Sequence, residues 1–126
     1  MSKKALFSEN APAPGGAYSH GIIAHGFVYT AGFGPIDPVT GEKPAGVTEQ
    51  TKLTLQNVSA VLAEAGLDLS DVVKATVHLQ NLDEDFHEFN AAYLEVMPQP
   101  LPVRTTVGSD LNNILVEIDV VAALRR

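Results

Sequence analysis

The 126-residue sequence has no cysteine and no tryptophan. The first absence removes disulfides, thiolate nucleophiles and thiolate metal sites from consideration. Positive charge is scarce: eight Lys and Arg stand against fifteen Asp and Glu, giving a formal net charge of -7. The few cations are scattered, so the chain repels a phosphate backbone and nucleic acid is not an expected partner. No apolar run approaches the length of a membrane span. The opening Met1-Ser2-Lys3-Lys4-Ala5-Leu6-Phe7 lacks the apolar centre of a signal peptide. The expectation is a cytoplasmic protein without a membrane partner. Metal-binding patterns are missing too, because His20, His25, His78 and His87 have no zinc-ligand spacing and HExxH does not occur. All four read as ordinary surface or half-buried histidines. Gly32-Phe33-Gly34-Pro35 lacks the lysine and following helix of a phosphate-binding loop, and no nucleophile elbow is present.

What remains is the composition of a folded domain, 45% hydrophobic and 18% charged. The length fits one domain, residues 1–126. The low charge leaves surface free for contact with sister subunits.

Along the chain, Ala5-Leu6-Phe7 reads as an edge strand. Two short apolar runs flank His25-Gly26 and predict a β-hairpin over 21–31. From 48 to 65 the period changes: Thr51, Leu55, Val58, Leu62 and Ala65 form one stripe of an amphipathic helix, and Gly66 stands at the C-terminal cap position. Alternation returns in the next strand, where Val73, Ala75, Val77 and Leu79 face one way and Lys74, Thr76 and His78 the other. A second helix starts at Asp83-Glu84-Asp85, carries Phe86, Phe89, Tyr93 and Met97 on its apolar stripe, and stops at Pro98-Gln99-Pro100-Leu101-Pro102. Strands over 103–107 and 114–123 finish the chain. The order β-β-β-α-β-α-β-β predicts an α+β fold, a mixed sheet with both helices on one face.

The last two strands are where chemistry is concentrated. Alternation puts Arg104 and Thr106 together on one face of the first, and Glu117 and Asp119 together on one face of the second. If the two strands pair as an antiparallel hairpin, Arg104 lies beside Glu117 and Asp119 on the face away from the helices. Spacing leaves open a structural ion pair and a guanidinium fork that binds a carboxylate ligand beside an acid able to manage a proton on water. Asn90, inside the apolar stripe of its helix, is either a structural amide or part of a pocket wall.

At these residues the chain resembles the YjgF/RidA family. The similarity runs from Asn10-Ala11-Pro12 to Glu117-Ile118-Asp119. It includes Pro14-Gly15-Gly16-Ala17-Tyr18-Ser19-His20-Gly21, Val28-Tyr29-Thr30-Ala31-Gly32, Leu55-Gln56-Asn57-Val58, Phe89-Asn90-Ala91-Ala92-Tyr93 and Pro102-Val103-Arg104-Thr105-Thr106-Val107. The resemblance implies a chorismate-mutase-like fold and a homotrimer with its clefts between subunits. It also implies cofactor-independent hydrolysis of 2-aminoacrylate and related enamines or imines to 2-keto acids and ammonia. By the same resemblance Arg104 holds the substrate carboxylate. The Gly32 amide and Thr106 main chain meet other polar atoms, Tyr18 and Asn90 line the cleft, and Asp119 is the acid that positions water. Three departures stand out: Ala31 where many members have Ser, Thr106 where Cys is frequent, and Asp119 in place of Glu, one methylene shorter. Ala17 also stands where the family prefers Pro. Other readings are a non-catalytic carboxylate-binding or chaperone-like trimer, and a dedicated catabolic deaminase for aminoacrylate or aminomuconate. The ribonuclease activity reported for some relatives fits poorly with the net charge.

Overall fold

His25 and Gly26 both take positive φ, 53° and 85°. That is the requirement of a type I′ turn, whose twist matches the strands it joins. They connect β2 (Gly21–Ala24) to β3 (Phe27–Thr30) as the predicted hairpin, and the short β1 (Lys4–Leu6) pairs with β2 at the sheet edge. The computed structural model describes residues 2–125; Met1 and Arg126 lie outside it. The remaining elements are α1 (Val47–Ala63), β4 (Val72–Leu79), α2 (Leu82–Val96), β5 (Val103–Gly108) and β6 (Val116–Ala123). Beyond α1, Gly66 and Leu67 donate back to Ala63 and Leu62, closing the helix where the sequence placed its cap.

One six-stranded mixed sheet runs in the order β1-β2-β3-β6-β4-β5. Only β4 and β5 are parallel; every other pair is antiparallel. Both helices cover one face. Leu55, Val58 and Leu62 of α1 and Phe89 of α2 are fully buried against Val28, Val77, Leu79, Ile118 and Ala122 of the sheet. Burying each large side chain stabilises the fold by about 1.5–3 kcal/mol. The opposite face has no helix and leaves Phe27, Tyr29, Val103 and Val107 exposed.

Two details depart from the predicted alternation. The β4–β6 register shifts between Val72 and Lys74, so Val72 is buried and Val73 exposed; a bulge inverts the side-chain parity on one side of it. At the other end of the sheet Ile114 and Leu115 precede β6 rather than belonging to it.

Asn57, buried on α1, has no apolar role. Its amide donates to the carbonyls of Gly34 and Ile36, both at 2.9 Å, and so ties the loop after β3 to the helix. A buried carbonyl left without a donor costs about 1–3 kcal/mol. Asn57→Leu is therefore expected to lower the unfolding free energy by at least about 2 kcal/mol in urea titration; an unchanged midpoint would show that the loop does not depend on the amide.

Candidate active site

The predicted β5–β6 hairpin does not form. β4 enters the sheet between the two strands, and β5 runs parallel to it at the edge. This arrangement fixes the side on which each charged group emerges. Arg104 is the register partner of the buried Ala75, whereas Glu117 and Asp119 partner His78 and Thr76. Partners across a ladder share a face. Arg104 and Thr106 therefore lie on the helix side, and Glu117 and Asp119 on the open side. Within one chain the arginine is not beside either acid, contrary to the expectation from a hairpin.

Arg104 packs instead under α2. Its guanidinium carbon lies 4.7 Å from the Tyr93 ring centroid, 5.2 Å from Phe89 and 5.9 Å from Phe86. These are cation–π distances, and the rings hold the flat group while removing water from one side. No carboxylate among the described residues lies within 4.0 Å of it, whereas Arg125 is paired with Asp68 and Asp71. The head group of Arg104 lines a cleft of about 370 Å³ with Asn90, Tyr93, Leu94, Leu101 and Pro102. Asn90 is half-buried rather than sunk in the core, and it forms part of the wall. Two hydroxyls in this region, Tyr93 Oη and Thr106 Oγ1, are buried without a hydrogen-bond partner. Burial pushes the Tyr93 phenol up from its ordinary value, with the Arg104 charge working the other way.

A second group of predicted residues gathers around Gly32. From Tyr29↔Val121 to Phe33↔Ile118 the chain advances four residues on one side and three on the other, which is a bulge containing Ala31 and Gly32. The Ala31 amide donates to His20 O at 2.9 Å and Phe33 pairs with Ile118, while the Gly32 amide makes no hydrogen bond among the described residues. A Cβ at Gly32 would stand 2.8 Å from Glu117 Oε2, so only glycine lets this carboxylate lie against the backbone. Tyr18 is exposed two residues before His20, its ring over Gly16 and its oxygen accepting from the Gly15 amide at 2.9 Å. The structure thus brings Tyr18, Ala31 and Gly32 into one region and Arg104, Asn90 and Thr106 into another. Two residues take places that the sequence reading did not give them. Glu117, expected beside Arg104, is the acid against Gly32. His20, read as a surface or half-buried histidine, is buried; its fixed place two residues after Tyr18 was the available signal.

The model of the family described as Endoribonuclease L-PSP matches residues 8–124, and the chain belongs to this family, which is the YjgF/RidA family. A RutC family protein of Pyrococcus abyssi is 42% identical over 125 residues, 97% of this chain and 98% of the relative. The 2-iminobutanoate/2-iminopropanoate deaminase of Escherichia coli is 42% identical over 90 residues, 71% of this chain and 70% of the relative. Among solved structures, E. coli TdcF with bound serine superposes with a TM-score of 0.89 at 32% identity, covering 97% of this chain and 99% of that one.

Asp119 stands on the open face opposite the bulge. Burial pushes its carboxyl up from the ordinary value, and the charges of His78 and Lys74 oppose the shift. A carboxyl whose folded pKa exceeds its unfolded one binds its proton more tightly when folded, so ionisation lowers stability as pH rises above the ordinary carboxylate range. Asp119→Asn is expected to raise the thermal midpoint at pH 7, with the gain shrinking as pH falls toward 4. A midpoint difference that does not change with pH would contradict this.

Proposed function

We propose that the protein hydrolyses 2-imino acids and their enamine tautomers to 2-keto acids and ammonia, at sites shared between subunits of a homotrimer. The observation that carries this is Arg104, a guanidinium held against three rings, unpaired with any carboxylate among the described residues and lining a small cleft. Such a fork binds a carboxylate through two parallel hydrogen bonds. The names of relatives such as the E. coli 2-iminobutanoate/2-iminopropanoate deaminase support the same chemistry. The apolar rim of Leu94 and Leu101 suits a short aliphatic substrate chain.

The reaction asks little of the protein. Water adds to C2 of the protonated imine, and a proton moves from the added water to nitrogen. The C–N bond then breaks as the remaining hydroxyl gives up its proton, leaving the keto acid and ammonia, which takes up that proton as ammonium. An acid beside the reacting carbon carries that proton. We assign the role to Glu117, because its carboxylate lies against Gly32, whose free amide can meet a polar atom of the substrate. Asp119, the acid implied by resemblance, is the register partner of Thr76 with the charges of His78 and Lys74 nearby, and is the alternative. Tyr18, Ala31 and Asn90 then form walls, and the Thr106 main chain a further polar contact.

Arg104 and Glu117 sit on opposite faces of one sheet, so a complete site takes the arginine from one copy and the acid from a neighbour. The uncovered apolar face supports an assembly that closes over it. Sedimentation is expected to give a species of three 13.4 kDa chains; a monomer at assay concentration would remove the shared site.

The chemistry is tested by generating 2-aminoacrylate with a serine dehydratase and following pyruvate. The native chain is expected to speed its formation, and Arg104→Ala to lower kcat/KM by roughly tenfold to a hundredfold, the loss of one or more charge-assisted hydrogen bonds. Glu117→Gln is expected to cost about 10²–10⁴ in rate, as for loss of a general acid–base, and Asp119→Asn far less. The reverse order would reassign the acid. Native rates equal to a blank, with carboxylate binding retained, would mark a binding protein instead.

A further inference from the structure

We infer that His20 is a positioning residue, a latch that fixes the Tyr18 loop against the Gly32 bulge. This rests on the deaminase reading of the site.

The ring is 2% exposed and makes a hydrogen bond at each nitrogen. The Ser8 amide donates to Nδ1 at 3.0 Å, so Nδ1 carries a lone pair. The proton is then on Nε2, which donates to Pro12 O at 2.7 Å. Only the neutral Nε2–H tautomer makes both bonds. The ring is flanked by Phe7 and Phe33, with centroids 5.6 and 5.3 Å away, and the His20 carbonyl accepts from Ala31. No ion pair involves His20 among the described residues. One residue therefore joins the end of β1, the proline-rich loop, and the segment on either side of Gly32.

The pattern is more demanding than core packing. An aliphatic side chain of similar size fills the space but leaves the Ser8 N–H and the Pro12 carbonyl unpartnered. Both groups belong to the chain that enters the loop carrying Tyr18, and His20 to the chain that leaves it. Without the latch the loop samples open positions, and the site is assembled for only part of the time. When the competent fraction falls, apparent affinity falls by the same factor while the chemistry of the assembled site is unchanged. A residue that only stabilised the core would alter the thermal midpoint and leave KM untouched well below it.

The experiment uses the full chain with His20→Leu and His20→Gln, the latter able to accept at Oε1 and donate at Nε2. Measured are KM and kcat for 2-aminoacrylate at 25 °C, and hydrogen exchange of the amides over residues 8–20 and 31–33. His20→Leu is expected to raise KM about tenfold, with kcat within about twofold and exchange over 8–20 faster, as a tenfold fall in competent fraction requires. His20→Gln should restore both. Native exchange and KM in His20→Leu, or a glutamine variant as impaired as the leucine one, would overturn the latch. Should His20→Leu fail to fold, ¹⁵N spectra of the native imidazole decide: Nε2 protonated and Nδ1 bare is required, and the opposite tautomer refutes it. Exchange and tautomer are read without turnover, so a chain that proves not to be a deaminase still answers the question about the loop.

Discussion

The entry of β4 between the last two strands is the constraint on which the site depends. Had β5 and β6 paired with each other, the period-two alternation of both would have set Arg104 among carboxylates, and a neutralised ion pair would have followed. With β4 between them, the arginine emerges under α2 and the acids emerge on the bare face. Aromatic rings, which attract a cation without consuming its hydrogen-bond donors, take the place of a counter-ion. The guanidinium remains able to bind an anion from outside the subunit.

The same topology explains the division of labour between the two faces. On the helix side nearly every side chain is buried aliphatic or aromatic matter, and Arg104 is admitted only at the edge, where its head group reaches a cleft. The other side mixes Lys74, His78, Glu117 and Asp119 with exposed apolar residues. Such a mixture is too polar for an ordinary core and too apolar for a surface fully exposed to water. It suits a surface that faces its own kind across a partly wet interior.

Much of this was legible in the amino-acid order because most elements are local. The His25-Gly26 turn, the Thr51-to-Leu62 stripe, the stop at Pro98 and the alternation of β6 are each written within a dozen residues. Pairing between strands is not local, so the position of β4 and the true surroundings of Arg104 were hidden. Val73 was misplaced for a related reason, since a bulge shifts parity without any sign in its own side chain. Glu117 was named only as a neighbour of Arg104, and Asp119 was preferred to it. The decisive fact is contact with Gly32, eighty-five residues earlier. Asn57 bonds carbonyls more than twenty residues away, and His20 bonds Ser8 and Pro12 across an irregular loop with no period to mark it, so a single sequence gives neither set of partners.

The two rims of the sheet are not alike. β1 offers only three residues and opens with a lysine, a poor template for another strand. β5 offers six, without bulge or internal proline, and its outward Val103, Thr105 and Val107 invite pairing. A chain caught before reaching its proper partners can zip onto a second one along this rim. The product then presents only the blunt ends. Erroneous association of this kind favours a pair, because the edges it leaves exposed are the short β1 strands.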